Sequence, residues 1–410
     1  MNSLQPTAPD SSRLKIAVVG GGLGGLTLAS VLQHAYKIKC TVFELDDTVD
    51  SRNQGGSLDL HFDSGQLALK KAGLLDQFRK HARYQGQDHI LTDMTGKVLM
   101  QHVGRKRSTG GRFDRPEIDR TVLRQMLIDS LDEDTIQWGK KVIKIEEESK
   151  DKNNGNHRHT ITFQDGRNET FDLVVGADGA WSKIRKFVSE VTPIYGGVSF
   201  IEGLLPNVDN GHPKLSKLVG NGSFWALQNN KGLLCQRSGD GSVRVSAAFR
   251  IEENGLSHLD FSNPEIPRKY LMDLFSDWDN SLKALIEESS TFIPRGIYML
   301  PADYTWKSHP GVTLIGDAAH LMTPFAGEGA NMAMLDGAKL AAAISKIMNK
   351  GKDLATTIDN FERKMHNTVT GLATESTKNM DLMISENGPQ EVLKMFRILR
   401  WLSPVIKLFS

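Results

Sequence analysis

The stretch Leu14-Lys15-Ile16-Ala17-Val18-Val19-Gly20-Gly21-Gly22-Leu23-Gly24-Gly25-Leu26 decides how this chain folds. Residues 14–19 form a short apolar run rich in β-branched side chains, which predicts a buried strand. Leu26, Leu28, Val31 and Leu32 follow at helical spacing, and residues 40–45 read as a second strand. Strand, turn, helix, strand is the βαβ unit of a parallel sheet. Gly20, Gly22 and Gly25 stand in the turn as G-x-G-x-x-G. The first glycine permits the tight turn, the second lets backbone approach a pyrophosphate, and the third lets helix pack closely on strand. The helix N-terminus then faces the anion. Glu44 closes the second strand about 20 residues on, where a carboxylate can accept from ribose hydroxyls. The fingerprint predicts a bound dinucleotide without choosing between nicotinamide and flavin; a glycine turn with no ligand is the plainer alternative.

Working outward, residues 66–83 read as helical, with Leu67, Leu69, Ala72 and Leu75 on one side, and a basic, Gly-containing loop spans 104–112. A helix is expected from near Glu117, carrying Ile118, Val122, Leu123, Met126, Leu127 and Leu131. From 141 to 176 the period changes to two: Val142, Ile143 and Ile145 lie in one strand, residues 160–163 in the next, and 172–177 form another. Residues 146–158, charged and Asn/Gly-rich, read as an exposed hairpin tip. Residues 191–300 carry strand candidates at 198–204, 224–228, 232–236, 243–250 and 292–299 between Gly/Asn/Asp turns, the texture of an inserted, mostly antiparallel sheet. Residues 312–315 return to a buried strand, followed by a Gly-rich turn and a long helix over 329–348. The tail from 370 reads as helical. Its end, 392–409, mixes apolar residues with Lys394, Arg397, Arg400 and Lys407, which fits a helix docked across two domains or one lying on a membrane surface; Pro404 interrupts both patterns.

The 410 residues are enough to bury a full core without staples. Lys+Arg is 50 and Asp+Glu is 49, a net charge of +1 that gives no electrostatic reason to expect nucleic-acid binding. No uncharged apolar run of about 18 residues exists to cross a membrane, and residues 1–13 lack the apolar core of a signal peptide. The cysteines, Cys40 and Cys235, fit a reduced, cytoplasmic setting and exclude a disulfide scaffold or zinc ribbon; no metal site is expected. Cys40 reads as an inert core thiol.

Two later motifs make the choice of dinucleotide. Gly176-Ala177-Asp178-Gly179-Ala180-Trp181-Ser182-Lys183-Ile184-Arg185 follows one buried strand, and Gly316-Asp317-Ala318-Ala319-His320 follows another, running on through Pro324-Phe325-Ala326-Gly327-Glu328-Gly329. With the first fingerprint they resemble the three signatures of the class A FAD-dependent monooxygenases, the single-component aromatic hydroxylases. The chain is similar over most of its length to the tetracycline destructases of that class, in Gly55-Gly56-Ser57-Leu58-Asp59-Leu60-His61, Lys70-Lys71-Ala72-Gly73-Leu74-Leu75, Arg112-Phe113-Asp114, Pro116-Glu117-Ile118, Phe275-Ser276-Asp277-Trp278-Asp279 and the run 316–329. The resemblance implies an α/β fold: a Rossmann-like FAD-binding domain (1–76, 103–190, 296–365), an inserted, mostly antiparallel substrate domain (77–102, 191–295) and a C-terminal bridging helix (366–410).

The resemblance also assigns roles. Asp317 would bond the FAD ribityl chain or neighbouring ribose; Gly327 and Gly329 would open the next helix toward the flavin; Glu44 would hold the adenosine ribose. Arg120 and Asp59 match FAD-contacting positions, Arg52 a position linked to the nicotinamide cofactor, and Asp178 either caps its turn or faces a cofactor. Pro324 and Phe325 match the loop beside the flavin, where substrate would stack. Arg185 reads as an ion-pair partner, His320 as packing, and Arg124 as a solvated neighbour of Arg120. The chain departs from the destructases at Leu45, where they carry Arg, and in the 200–250 sheet, where Glu202, Phe224 or Trp225, and Arg244 stand. The flavin site reads as kept and the substrate wall as changed.

The implied activity is an NAD(P)H- and O₂-dependent hydroxylation of an electron-rich aromatic or polyketide-like molecule through a flavin C4a-hydroperoxide, or a Baeyer–Villiger oxidation. It needs no acid–base triad, and the sequence displays none. No second dinucleotide fingerprint serves NAD(P)H, as in the class. A reductase on the same fold and a non-catalytic protein that binds aromatic ligands are the alternatives; flavin-dependent halogenation is disfavoured because no two tryptophans stand two apart. A monomer without firm membrane contact is expected.

Overall fold

The computed structural model describes residues 14–51, 55–103, 111–112, 114–148 and 157–406. The 104–112 loop and the hairpin tip fall largely outside the described residues, as do Arg52 and residues 1–13.

Five parallel strands form the first sheet, in the order Val312–Leu314, Leu173–Gly176, Ile16–Val19, Thr41–Phe43, Ile136–Gln137. Ala17, Val18, Val174 and Val175 are wholly buried, as expected of a parallel sheet covered on both faces. Parallel pairing brings the C-terminal strand ends to one edge, so the turns after Val19, Gly176 and Leu314 emerge side by side. The helices Leu23–Tyr36 and Gly329–Lys350 cross at Gly24 and Gly337, where a Cβ on Gly337 would lie 2.6 Å from the Gly24 carbonyl oxygen. Val142–Glu147, His159–Phe163 and Asn168–Phe171 form a small antiparallel sheet beside this layer.

The large sheet has seven strands: Phe292–Met299, Ile194–Leu205, Val243–Arg250, Lys231–Arg237, Ser223–Gln228, His89–Thr92, Val98–His102. All pairs are antiparallel except Ser223–Gln228 with His89–Thr92. Side chains alternate across it. Phe224, Val245 and Cys235 enter one core with helices Pro213–Val219, Glu265–Leu274 and Asn280–Glu287. Phe200, Trp225 and Leu234 face the other way, toward Phe325, Met380 and Met383. The helix Leu354–Met383 links the two layers, packing Ile358, Phe361 and Met365 at one end and Met380 and Met383 at the other. The tail continues as helix Gly388–Ile406. Among the described residues no helix is long and apolar enough to cross a membrane. Both cysteines are free and buried, and burial pushes the Cys40 thiol up to about 12.

Three expectations need correction. Glu117 does not start a helix: Glu117–Asp119 is a strand paired with Ser57–Asp59, its main chain also bonded to Arg83, and the helix begins at Arg120. The 66–83 helix is two, Gly65–Lys71 and Leu75–His81, parted at Gly73, whose φ of +75 breaks the ladder. The 191–300 region keeps its mostly antiparallel sheet but adds to the expected strands the three helices above and the short helix Val208–Gly211.

Candidate cofactor groove and substrate cavity

The groove is shaped by glycines. Gly20 has φ +110, and a Cβ there would lie 2.3 Å from the Ala177 carbonyl oxygen; a Cβ on Gly25 would lie 2.1 Å from that of Gly20. Both positions require glycine. Gly22 differs: a Cβ would meet nothing within 4 Å. It caps the helix Leu23–Tyr36 and has no side chain to cap it, so among the described residues the helix start has no side-chain cap. Open space in front of uncapped donors is what a pyrophosphate needs. Glu44, buried, accepts from Gly21 N at 2.6 Å and from Asp46 N at 3.0 Å. Arg124 corrects its solvated reading. It is 2% exposed, donates to the carbonyls of Gly21 (3.1 Å) and Val49 (3.2 Å), and places Nη2 4.0 Å from Glu44 Oε2. Arg120 bonds Gly56 through its main chain and lies beside Gly55.

The second and third motifs close the groove. Asp178 accepts from Ser182 Oγ (2.5 Å) and Lys183 N (2.7 Å), capping its own turn, and burial raises its pKa. Arg185 donates to the carbonyls of Ala318 (3.0 Å), Asp317 (3.3 Å) and Ala180. It stitches the two turns together through main-chain oxygens, where a side-chain ion pair was expected. His320, buried, sets Nε2 2.5 Å from Asp336 Oδ2, which also accepts from Gly316 N at 3.1 Å. Asp317 is exposed at the head of the turn, and a Cβ on Gly329 would lie 4.0 Å from its Oδ1. Gly327, with φ +68, faces Asp59: its Cβ would lie 3.6 Å from Asp59 Oδ1. Among the described residues the helix Gly329–Lys350 likewise has no side-chain cap from its N-cap residue, Glu328.

Asp59 and Gly327 open onto a cavity of about 550 Å³. Pro324, Phe325, Trp225 and Arg244 all line it, together with Phe200 and Leu234. Phe224, the alternative to Trp225, is wholly buried on the opposite face. Arg244 is held by Glu202 at 3.2 Å, and Arg295 joins the same carboxylate. Two further lining residues carry no role assigned from the sequence. His89 stacks edge-on against Trp225 at 4.0 Å, and burial lowers it to about 4, so it is neutral. Glu117 bonds Arg83 (3.1 Å) and Gln236 (3.3 Å), and burial raises it to about 7 despite the arginine. His89 belongs to no quoted motif, and Glu117 stands in Pro116-Glu117-Ile118 without an assigned role; their contacts reveal both.

Two helix ends without a side-chain cap among the described residues, an open Gly22, a buried carboxylate after the second strand and a cavity lined by Trp225 and Phe325 fit a flavin dinucleotide. The glycine turns would hold its pyrophosphate, Glu44 its adenosine end and Asp317 its polyol chain.

Comparison with known proteins agrees. A family described as "FAD binding domain" matches residues 13–376. Monooxygenase asqM of Emericella nidulans is 34% identical over 384 residues, covering 82% of this chain and 85% of that one. Monooxygenase penA of Penicillium thymicola is 31% identical over 431 residues, covering 93% and 98%. Among solved structures, Klebsiella pneumoniae HpxO complexed with FAD and uric acid superposes with a TM-score of 0.76 at 22% identity, covering 96% and 95%. Tetracycline destructase Tet(51) does so at 0.67 and 20%, covering 96% of each chain. At these identities the structures speak for the fold. The chain belongs to the FAD-binding family of class A monooxygenases and is an FAD-dependent, oxygen-using enzyme.

Proposed function

We propose that the protein uses NAD(P)H and O₂ to hydroxylate an electron-rich aromatic or polyketide-like small molecule held in the cavity. The carrying observation is the shared wall. One cavity of about 550 Å³ is bounded by the turn of Pro324, Phe325 and Gly327 on the cofactor side and by Phe200, Trp225 and Leu234 on the sheet side. A planar ligand fits between aromatic and apolar surfaces, while Gln236, Ser246 and Glu117 offer polar contacts along one margin. FAD, when bound, supplies the redox chemistry and the oxygen transfer. The chain's own work is to bind, orient and keep water away. Arg244 and Arg295 share the Glu202 carboxylate, so Arg244 brings fixed donors to the cavity wall, and neutral His89 adds no charge.

Named relatives point the same way: 6-methylsalicylate 1-monooxygenase atA of Aspergillus terreus is 24% identical over 357 residues. The test is a screen of phenolic and polyketide compounds for stimulated NAD(P)H consumption, with mass analysis after labelled O₂. Gain of one labelled oxygen is expected; stimulated consumption with no label incorporated would mark a reductase instead.

A further inference from the structure

His61 lies outside every motif role assigned above, yet its ring spans the seam between groove and cavity. It is 8% exposed. Its Nε2 stands 2.9 Å from Asp59 Oδ2, and its Nδ1 stands 3.0 Å from Glu328 Oε1. Carboxylates only accept hydrogen bonds, and a neutral imidazole has one donor, so both contacts are bonds only when both nitrogens carry protons. The two carboxylates come from different segments. Asp59 ends the strand Ser57–Asp59 and lines the cavity. Glu328 sits between Gly327 and Gly329 at the uncapped start of helix Gly329–Lys350. The other oxygen of Glu328 is buried without a partner among the described residues, so that side chain depends on His61. Asn331, wholly buried, braces the same seam: Oδ1 accepts from His61 N (2.9 Å) and Gly65 N (3.2 Å), and Nδ2 donates to the Asp59 carbonyl (2.9 Å).

We propose that His61, as an imidazolium clamped between Asp59 and Glu328, is a positioning residue for FAD: it locks the 327–329 turn to the strand Ser57–Asp59 and keeps a buried positive charge beside the cofactor. This role rests on the FAD reading of the groove. Reduction adds negative charge to a flavin, and the imidazolium offsets one of the two carboxylates beside it, so losing its charge disfavours the reduced form. The charged groups acting on His61 are Asp59, Glu328 and Arg115; burial and Arg115 oppose its charge, but the two carboxylates prevail and raise it to about 9.

The test is the midpoint potential of bound FAD across pH in the holoenzyme and in His61→Gln. The wild type is expected to lose potential with a break near pH 9, where the imidazolium deprotonates. His61→Gln should have a lower potential at neutral pH, no break, and a FAD dissociation constant raised about tenfold. A FAD-loaded His61→Gln with wild-type potential and the same break overturns the proposal. Glu328→Gln, which keeps the ring and an acceptor oxygen but removes one negative charge, should move the break to lower pH; an unmoved break also overturns it. If His61→Gln fails to fold, nitrogen NMR of labelled histidine in the wild type decides: His61 doubly protonated at neutral pH supports the clamp, and a neutral ring overturns it. A wild type that takes up no FAD sinks the function and this role together, whereas a loaded wild type without the break sinks only the role.

Discussion

In the cofactor groove, main chain meets main chain. Added Cβ atoms at Gly20 and Gly25 would lie 2.3 and 2.1 Å from backbone carbonyl oxygens, and the polar contacts run largely to backbone atoms. Across the Pro324 turn, the cavity wall is made of side chains that alternate along Ser223–Gln228 and Lys231–Arg237. The groove therefore has little room to vary at Gly20 and Gly25, because both are fixed by the backbone they touch. The wall can change one side chain at a time without disturbing the sheet beneath. The difference teaches why one flavin scaffold can serve many substrates, and it can be broken or sharpened by substitution.

The largest effect is expected at Gly25. Gly25→Ala drives a methyl into the Gly20 carbonyl and should cost about 4 kcal/mol or more, leaving protein that is unfolded or colourless. Thermal melts with flavin absorbance check this; a stable yellow variant would break the contrast. Asp317→Ala should fold but weaken FAD about a hundredfold, read by fluorescence titration. Trp225→Ala should raise KM about tenfold with FAD affinity unchanged, since it touches the cavity and not the groove. Glu117 gives the smallest and most graded effect. Burial raises it from 4.5 to about 7, so the folded state binds the proton more tightly than the unfolded one. Its contribution to stability is full below pH 4.5 and is lost as pH rises through about 7. Glu117→Gln should flatten that part of the stability profile measured by denaturant unfolding.

Legibility followed the same divide. The glycine turns could be read because each is local and repeats a chemical need after a strand. Trp225 and Phe224 could not be separated by sequence, since only the pairing register decides which of two adjacent aromatics faces the cavity. Arg124 reads as a surface residue on its own helix; what buries it is Gly21, 103 residues away. Ile118 satisfies a helical period with its successors but is recruited to a strand by Leu58. His61 and Glu328 meet only through the fold, and no spacing announces the pair.

The parallel pairing of His89–Thr92 with Ser223–Gln228 has a consequence for synthesis. Until the ribosome delivers that later segment, the hairpin of His89–Thr92 and Val98–His102 has an open edge. Such distant partnering is slow, and an exposed strand edge invites association with other chains. The chamber that receives the substrate is thus among the last parts of the protein to close. Nascent chains released before residue 228 should be the aggregation-prone species in the cell.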